Sequence, residues 1–216
     1  MSIATNLLAI KKTIPSNVTL VAVTKTKSIA EIMEAYMAGQ RDFGENKIQE
    51  MTVKYEQLPK DIRWHMIGHL QSNKIKYMAK FVHLIHGVDK FSTLIEIDKQ
   101  AKKHNRIIDC LLQIHIAQEE TKFGFSYDEI TSILNHNEVQ LLQNIKIIGF
   151  MGMATFTDNE DQIRSEFQTL SQYYNQLKIQ FPQFTTLSIG MSSDYEIAIS
   201  TGSTIIRVGS AIFGNR

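Results

Sequence analysis

Short apolar runs alternate with helical patterns along the whole chain, and this alternation constrains the fold more than any other feature. Runs rich in Val, Ile and Leu are typical of strands buried on both faces. They cover residues 20–24, 42–44, 63–67, 83–88, 107–116, 145–153, 186–189 and 205–208. Because a helical pattern separates each run from the next, the strands are predicted to lie parallel. Eight such units favour an α/β fold, a single (β/α)8 TIM-type barrel. The alternative, an open doubly wound sheet, lacks a G-x-G-x-x-G motif after the first strand.

The capping-box pattern, Ser or Thr followed three residues later by Glu, predicts where several helices begin. It starts at Ser28, Thr93, Ser126 and Ser193. No helix is predicted after the eighth strand, so an amphipathic helix over residues 1–12 is a candidate to complete the outer ring. No linker or low-complexity tract interrupts the chain, and we expect residues 1–216 to form one domain.

The composition excludes several classes of function. The chain has 23 Lys and Arg against 22 Asp and Glu, interspersed, so no basic face for nucleic acid or a membrane surface is expected. No apolar run approaches membrane-spanning length. The single cysteine, Cys110, lies in a predicted strand and is expected to be a core residue. These features predict a soluble cytoplasmic protein. The histidines show no ligand spacing with cysteines or carboxylates, so no metal site is expected.

A lysine stands at the carboxyl end of the first predicted strand. Active sites of such barrels lie where the carboxyl ends of the strands converge, and Lys25 follows the run that ends at Thr24. Burial there would lower the pKa of the amine, and a neutral lysine amine attacks carbonyl groups and forms Schiff bases. The alternative is that Lys25 and Lys27 only solvate the strand end.

Polar residues after the seventh and eighth strands predict an anion site. Ser192 and Ser193 follow one strand, and Gly209 and Ser210 follow the other. Loops at these two places form the usual phosphate site of a barrel. Arg207 lies inside the eighth strand, where its charge needs a partner: either a structural salt bridge or a heteroaromatic nitrogen. A strand-end lysine, a phosphate site and this arginine together describe a site for pyridoxal 5'-phosphate (PLP).

The sequence motifs also resemble a known family. They are VAVTKTK (21–27), AGQRDFGENKIQE (38–50), WHMIGHLQSNK (64–74), HGVD (86–89), TKFGF (121–125), GFMGMAT (149–155), LSIGMSSD (187–194) and STIIRVGSAIFG (203–214). In this order they resemble the pyridoxal phosphate homeostasis protein family. That family has the fold type III PLP-binding barrel that is also the N-terminal domain of alanine racemase.

The resemblance implies a role for each matching position. Lys25 is similar to the Schiff-base lysine, and Arg207 to the arginine at the pyridine nitrogen. The implied phosphate ligands are Ser192, Gly209 and Ser210. Asn46 of the GEN motif resembles a contact to the cofactor ring. His65 is expected near the barrel mouth, within reach of the ligand.

The family resemblance further implies a protein that buffers or delivers PLP inside the cell without sustained catalysis and without catalytic residues. The expected partners are PLP and apo PLP-dependent enzymes as recipients, and we expect a monomer. One alternative is a PLP-dependent amino-acid racemase or lyase, which needs a second acid/base opposite the lysine. The chain is expected to have no second domain to supply it. Another alternative is a cofactor-free aldolase or sugar-phosphate enzyme.

Overall fold

The computed structural model describes residues 2–119 and 123–214. The TKFGF motif is therefore described from Phe123 onward, and Thr121 and Lys122 lie outside the described residues.

Eight parallel strands form a closed barrel, as the alternation predicts. They are β1 (Thr19–Val23), β2 (Asp42–Glu45), β3 (Arg63–Met66), β4 (Leu84–Val88), β5 (Ile108–Ile114), β6 (Ile145–Gly152), β7 (Thr186–Ser188) and β8 (Ile205–Val208). Each strand pairs with its neighbours in chain order, and β8 closes the ring on β1. In that pairing Val21 lies opposite Arg207. Closure excludes the open doubly wound sheet.

Helices surround the barrel in the described part of the chain. They are α1 (Ile3–Thr13), α2 (Ile29–Met37), α3 (Ile48–Gln57), α4 (Ile75–Met78), α5 (Phe91–Lys103), α6 (Tyr127–Leu134), α7 (Asn137–Gln140), α8 (Glu160–Gln180), α9 (Tyr195–Ser200) and α10 (Ser210–Phe213), with a 3-10 turn at Ser72–Lys74 before α4. Within residues 2–119 and 123–214, no helix combines the length and the apolar character needed to cross a bilayer.

Two of the four predicted capping boxes form and two do not. Ser28 and Ser126 cap α2 and α6 with both reciprocal hydrogen bonds. Thr93 instead lies inside α5, because the extended residue before that helix is Lys90. Ser193 is exposed, and α9 begins after Asp194. A capping box requires extended backbone at its first residue, and neither of these two positions is the extended residue before its helix.

The N-terminal helix packs in the outer ring as predicted, but a short helix, α10, follows β8, where no helix was expected. Helix α1 contacts both α2 and α10, with Leu7 and Ile10 buried beneath it. The Asn6 side chain donates a hydrogen bond to the carbonyl of Ile212 at 3.1 Å. The two ends of the chain therefore pack together beside β1 and β8.

The apolar residues form two groups. The larger group lies between the strands and the helices. A smaller group fills part of the barrel interior and consists of Val21, Leu84, Leu111, Met151 and Ile205. The residues of this smaller group come from β1, β4, β5, β6 and β8, as expected for a barrel interior packed in layers of side chains.

A buried ion network holds the loop that follows β1. The Lys54 ammonium donates to Glu45 Oε1 at 2.7 Å, to Glu50 Oε1 at 2.6 Å and to the carbonyl of Thr24 at 2.6 Å. Glu50 Oε1 also accepts the N–H of Thr26 at 2.6 Å. Thr26 has a φ of 66°, a costly conformation for a β-branched residue. The network fixes the backbone on both sides of Lys25.

Removing the Lys54 charge should destabilise the protein strongly. In the variant Lys54→Met, the buried carboxylate of Glu45 loses its counter-ion, and burial already raises the pKa of this group. Loss of one partner of a buried pair costs about 3–5 kcal/mol in unfolding free energy. Urea unfolding measures it. The matched control is Lys80→Met, which breaks the exposed pair with Glu56. It should leave the urea concentration at the unfolding midpoint almost unchanged. Equal effects of the two variants would contradict this account.

A second charged cluster lies at the amino-terminal end of the barrel. Asp42 accepts hydrogen bonds from Arg63 Nε at 2.7 Å and from His65 Nε2 at 3.0 Å. Burial opposes ionisation of Asp42, but the bonds from His65 and Arg63 outweigh it and lower its pKa from 3.8 to about 2. A carboxyl whose pKa is lower in the folded state stabilises the fold while it is ionised.

The contribution of Asp42 should therefore disappear in acid. We expect the pH-dependent part of the difference in unfolding free energy between the wild type and Asp42→Asn to be about 2 kcal/mol. It should be fully present above about pH 4 and be lost as the pH falls to about 2. Denaturant unfolding of both proteins across this range measures it. A difference that stays constant down to the lowest pH would show that Asp42 has an ordinary pKa.

Candidate functional site

The carboxyl ends of β1 and β8 share one cavity that contains three of the predicted site residues. Lys25, Gly209 and Ser210 line it. The structure therefore brings the strand-end lysine to the loop after β8, as predicted. Lys25 is exposed, however, so the expected burial of its amine is wrong for this structure. The cause is local: β1 ends at Val23, and Lys25 already lies in the turn beyond the strand.

The two lysines of the TKTK sequence differ in their contacts. Lys27 donates to the carbonyl of Phe213 at 3.2 Å and pairs with Glu31 at 3.6 Å. Within residues 2–119 and 123–214, the Lys25 amine makes no hydrogen bond or ion pair. Lys27 thus ties the loop to the C-terminal helix α10, whereas the Lys25 amine is available to a ligand.

The loops after β7 and β8 are joined by a hydrogen bond. Ser192 Oγ accepts the N–H of Gly209 at 3.1 Å, which leaves the hydroxyl proton of Ser192 free for an acceptor. A Cβ at Gly209 would lie 3.3 Å from Val23 Cβ, tighter than an ordinary contact. Gly190, with a φ of 97°, makes the sharp turn that begins the β7 loop. The predicted residues Ser192, Gly209 and Ser210 are therefore adjacent.

Arg207 is buried, and neutral acceptors hold its guanidinium. Nη1 donates to the carbonyl of Ser188 at 2.8 Å and to its hydroxyl at 2.6 Å, and Nη2 donates to the carbonyl of Gly152 at 3.0 Å. Burial lowers the pKa of Arg207 to about 10, against the opposing charge of Asp194. The group remains a cation at neutral pH. A structural salt bridge, the alternative drawn from the sequence, does not form with any described carboxylate.

Asn46 lies directly after β2, in a second cavity that it lines with His69 and Lys74. A Cβ on Gly68 would lie 2.3 Å from the carbonyl oxygen of Asn46, so the two loops touch through their backbones. Asn46 is at the predicted end of the barrel, but it does not line the cavity of Lys25.

His65 is not at the barrel mouth, which corrects the prediction from the sequence. It is buried and bonded to Asp42 and His86. Asp42 and His65 also form a cluster with His83 that the sequence did not reveal. The atoms of these three side chains that could bind a metal ion lie within 4.8 Å of one another. The three residues come from different strand regions, so no local spacing marks them.

Comparison of the sequence with known proteins shows which family this chain belongs to. The sequence model of the alanine racemase N-terminal domain matches residues 1–216. The pyridoxal phosphate homeostasis protein of Synechocystis sp. is 41% identical over 209 residues, which is 94% of each chain. The protein of the same name from Escherichia coli is 35% identical, over 94% of this chain and 87% of its own length.

Solved structures agree with the sequence comparison. PipY of Synechococcus elongatus, solved with PLP bound, is 34% identical and has a TM-score of 0.90, with 99% of this chain and all of PipY covered. An alanine racemase from Clostridium difficile is 12% identical, with a TM-score of 0.78 over 100% of this chain and 60% of its own, a likeness of fold alone. The chain therefore belongs to the pyridoxal phosphate homeostasis protein family.

Proposed function

We propose that this protein binds PLP covalently through Lys25 and serves in PLP homeostasis, by buffering or delivering the cofactor. The observation that carries the proposal is the exposed amine of Lys25, which has no partner among the described residues and lies in one cavity with Gly209 and Ser210. The bound PLP in the PipY structure supports it. A Schiff-base linkage at Lys25 is the chemistry that a lysine amine and an aldehyde form.

The residues present fit this cofactor. The hydroxyls of Ser192 and Ser210 can donate to a phosphate, and Gly209 leaves the space that a side chain would fill. Arg207 lies on β8, two residues before Gly209, and would supply a cationic donor for the ring nitrogen. The resemblance also assigns a ring contact to Asn46, which lines a separate cavity beside Gly68 and His69. When bound, PLP supplies a reactive aldehyde and an electron-accepting ring.

The properties of these side chains favour a carrier over an enzyme. A guanidinium keeps its proton, so Arg207 would leave the ring nitrogen unprotonated and make the ring a poor electron acceptor. The exposure of Lys25 leaves the linkage open to water and to incoming amines. Both properties suit reversible loading and release. We further propose apo PLP-dependent enzymes as recipients, a monomeric state and a cytoplasmic location.

Replacing Lys25 should abolish covalent loading. Lys25→Ala mixed with PLP should lack the long-wavelength absorption of the lysine linkage while circular dichroism stays that of the wild type. Lys27→Ala is the matched control and should keep the absorption, because its amine is engaged with Phe213 and Glu31. Loss of the absorption in Lys27→Ala but not in Lys25→Ala would place the linkage on Lys27 and contradict the proposal.

The phosphate contacts should contribute strongly to affinity. Hydrogen bonds to a charged group are worth roughly 1.5–3 kcal/mol each, so Ser192→Ala with Ser210→Ala should weaken PLP binding about ten-fold or more. Equilibrium titration measures this. Pyridoxal, which lacks the phosphate, should bind the wild type far more weakly than PLP. Equal affinities for the two compounds would show that these residues hold no phosphate.

A carrier should not turn over amino acids. We expect the loaded protein to transfer PLP to an apo-enzyme, yet to exchange the α-proton of alanine in heavy water no faster than free PLP does. Deuterium incorporation followed by NMR measures the exchange. Faster exchange that disappears in Lys25→Ala would identify the protein as a PLP enzyme.

A further inference from the structure

A continuous series of side-chain hydrogen bonds crosses the barrel interior from Arg207 to Asp42. Arg207 Nη1 lies 2.6 Å from Ser188 Oγ, which lies 2.9 Å from His86 Nδ1. His86 Nε2 is 2.9 Å from His65 Nδ1, and His65 Nε2 is 3.0 Å from Asp42 Oδ1. We call these five residues the Asp42 relay. The bond from His86 on β4 to Ser188 on β7 joins strands that are not neighbours, so it passes through the barrel interior.

The chemistry of the two ends is consistent with one direction for all the hydrogens, when each imidazole carries a single proton. An ionised carboxylate accepts but cannot donate, so His65 carries a proton on Nε2, and with a single ring proton its Nδ1 is an acceptor. His86 must then donate from Nε2 and accept at Nδ1. The hydroxyl of Ser188 donates to that nitrogen and accepts from Arg207, which cannot accept. All donors of the Asp42 relay therefore point from Arg207 toward Asp42.

The Asp42 relay is shielded from solvent along its whole length. Its residues are 0–8% exposed, Ser188 and His86 being fully buried. In such a medium hydrogen bonds polarise one another. The negative charge of Asp42 makes His65 a stronger acceptor, His65 does the same for His86, and His86 for Ser188. Ser188 is therefore a stronger acceptor for Arg207, which has no described carboxylate as a direct partner.

The part of the barrel interior that holds the Asp42 relay thus departs from the usual layers of branched apolar residues. Burying two imidazoles and a hydroxyl costs free energy unless each is bonded, and here each is bonded to the next member. An apolar layer would fill the same space without that requirement. The polar series therefore indicates a role that depends on its charge and hydrogens.

We propose that Asp42 is the remote counter-ion of Arg207, and that Ser188, His86 and His65 are positioning residues that transmit its charge. The Asp42 relay holds the guanidinium in place through Ser188 and sets how strongly it polarises a ring nitrogen placed against it. This inference rests on the proposed function for its ligand, since that function puts the ring nitrogen of PLP at Arg207. It adds a connection from the amino-terminal face of the barrel to the cofactor site.

The cluster of Asp42, His65 and His83 could also hold a cation, but its surroundings favour the relay. Both carboxylate oxygens of Asp42 accept from the Arg63 guanidinium, and Oδ1 also accepts from His65. A metal ion would have to displace these donors and lie beside a permanent positive charge.

The first test needs no cofactor. Nitrogen NMR of the apoprotein labelled at histidine should show both His65 and His86 with the proton of the relay on Nε2. In Asp42→Asn, the His65 signals should shift and the His86 signals should follow, although His86 does not touch residue 42. Arg63→Met is the matched control: it breaks the ion pair but keeps the carboxylate, so both tautomers should stay. A His86 protonated on Nδ1 in the wild type would overturn the proposal.

The second test uses PLP labelled at the ring nitrogen. Ser188→Ala keeps the two carbonyl contacts of Arg207 but cuts the relay. Both Ser188→Ala and Asp42→Asn should shift the ring-nitrogen signal and weaken PLP binding, by about two-fold to thirty-fold, the range of couplings through packed networks. Ser203→Ala is the control, since this buried hydroxyl donates to the carbonyls of Ile189 and Ile205 outside the relay. This variant should leave both the ring-nitrogen signal and the affinity for PLP unchanged.

The outcomes separate the two proposals. If the wild type binds no PLP, the proposed function fails, and the histidine signals of the apoprotein still decide whether the relay exists. If the wild type binds PLP but Ser188→Ala and Asp42→Asn leave the ring-nitrogen signal in place, the relay carries no charge to the site and the inference is wrong. A structural role alone would lower thermal stability without moving that signal in the folded protein.

Discussion

The parallel pairing of β8 with β1 is the constraint on which the rest of this structure depends. It brings residues near the two ends of the chain side by side, with Val21 opposite Arg207. Lys25 and the loop of Gly209 and Ser210 then extend from adjacent strands into one cavity. Helix α1 packs over this closure, against α2 and α10. An open sheet with the same strand order would leave Lys25 and the loop of Gly209 and Ser210 at opposite edges, with no common cavity.

Close to that closure, buried charged side chains hold the backbone of the loop that follows β1. The Lys54 ammonium joins Glu45, Glu50 and the Thr24 carbonyl, and so stabilises the unusual backbone of Thr26 next to Lys25. The amine of Lys25 itself stays outside the network and exposed. Rigid support beneath an accessible amine fits the proposed reversible carrier, because the backbone is held while the amine stays exposed.

Local signals in the sequence predicted the strand order, the barrel and the convergence of Lys25, Gly209 and Ser210. Ser28 and Ser126 cap helices because all their partners lie within one turn. Thr93 and Ser193 match the same pattern, but their backbone context places the helix starts elsewhere. The connection of Arg207 to Asp42 could not be predicted, because it joins five strands through the interior and leaves no spacing in the sequence. For the same reason His65 was misplaced at the mouth.

The central claim is that this barrel presents Lys25 as its carbonyl-reactive amine. Mass spectrometry of peptides from the protein reduced with borohydride in the presence of PLP tests this claim most directly, because it identifies cofactor and residue together. We expect one stoichiometric adduct, on Lys25, which forms at PLP concentrations too low to modify the other exposed lysines. An adduct confined to Lys27 or another lysine, or modification spread evenly over the surface, would contradict the account.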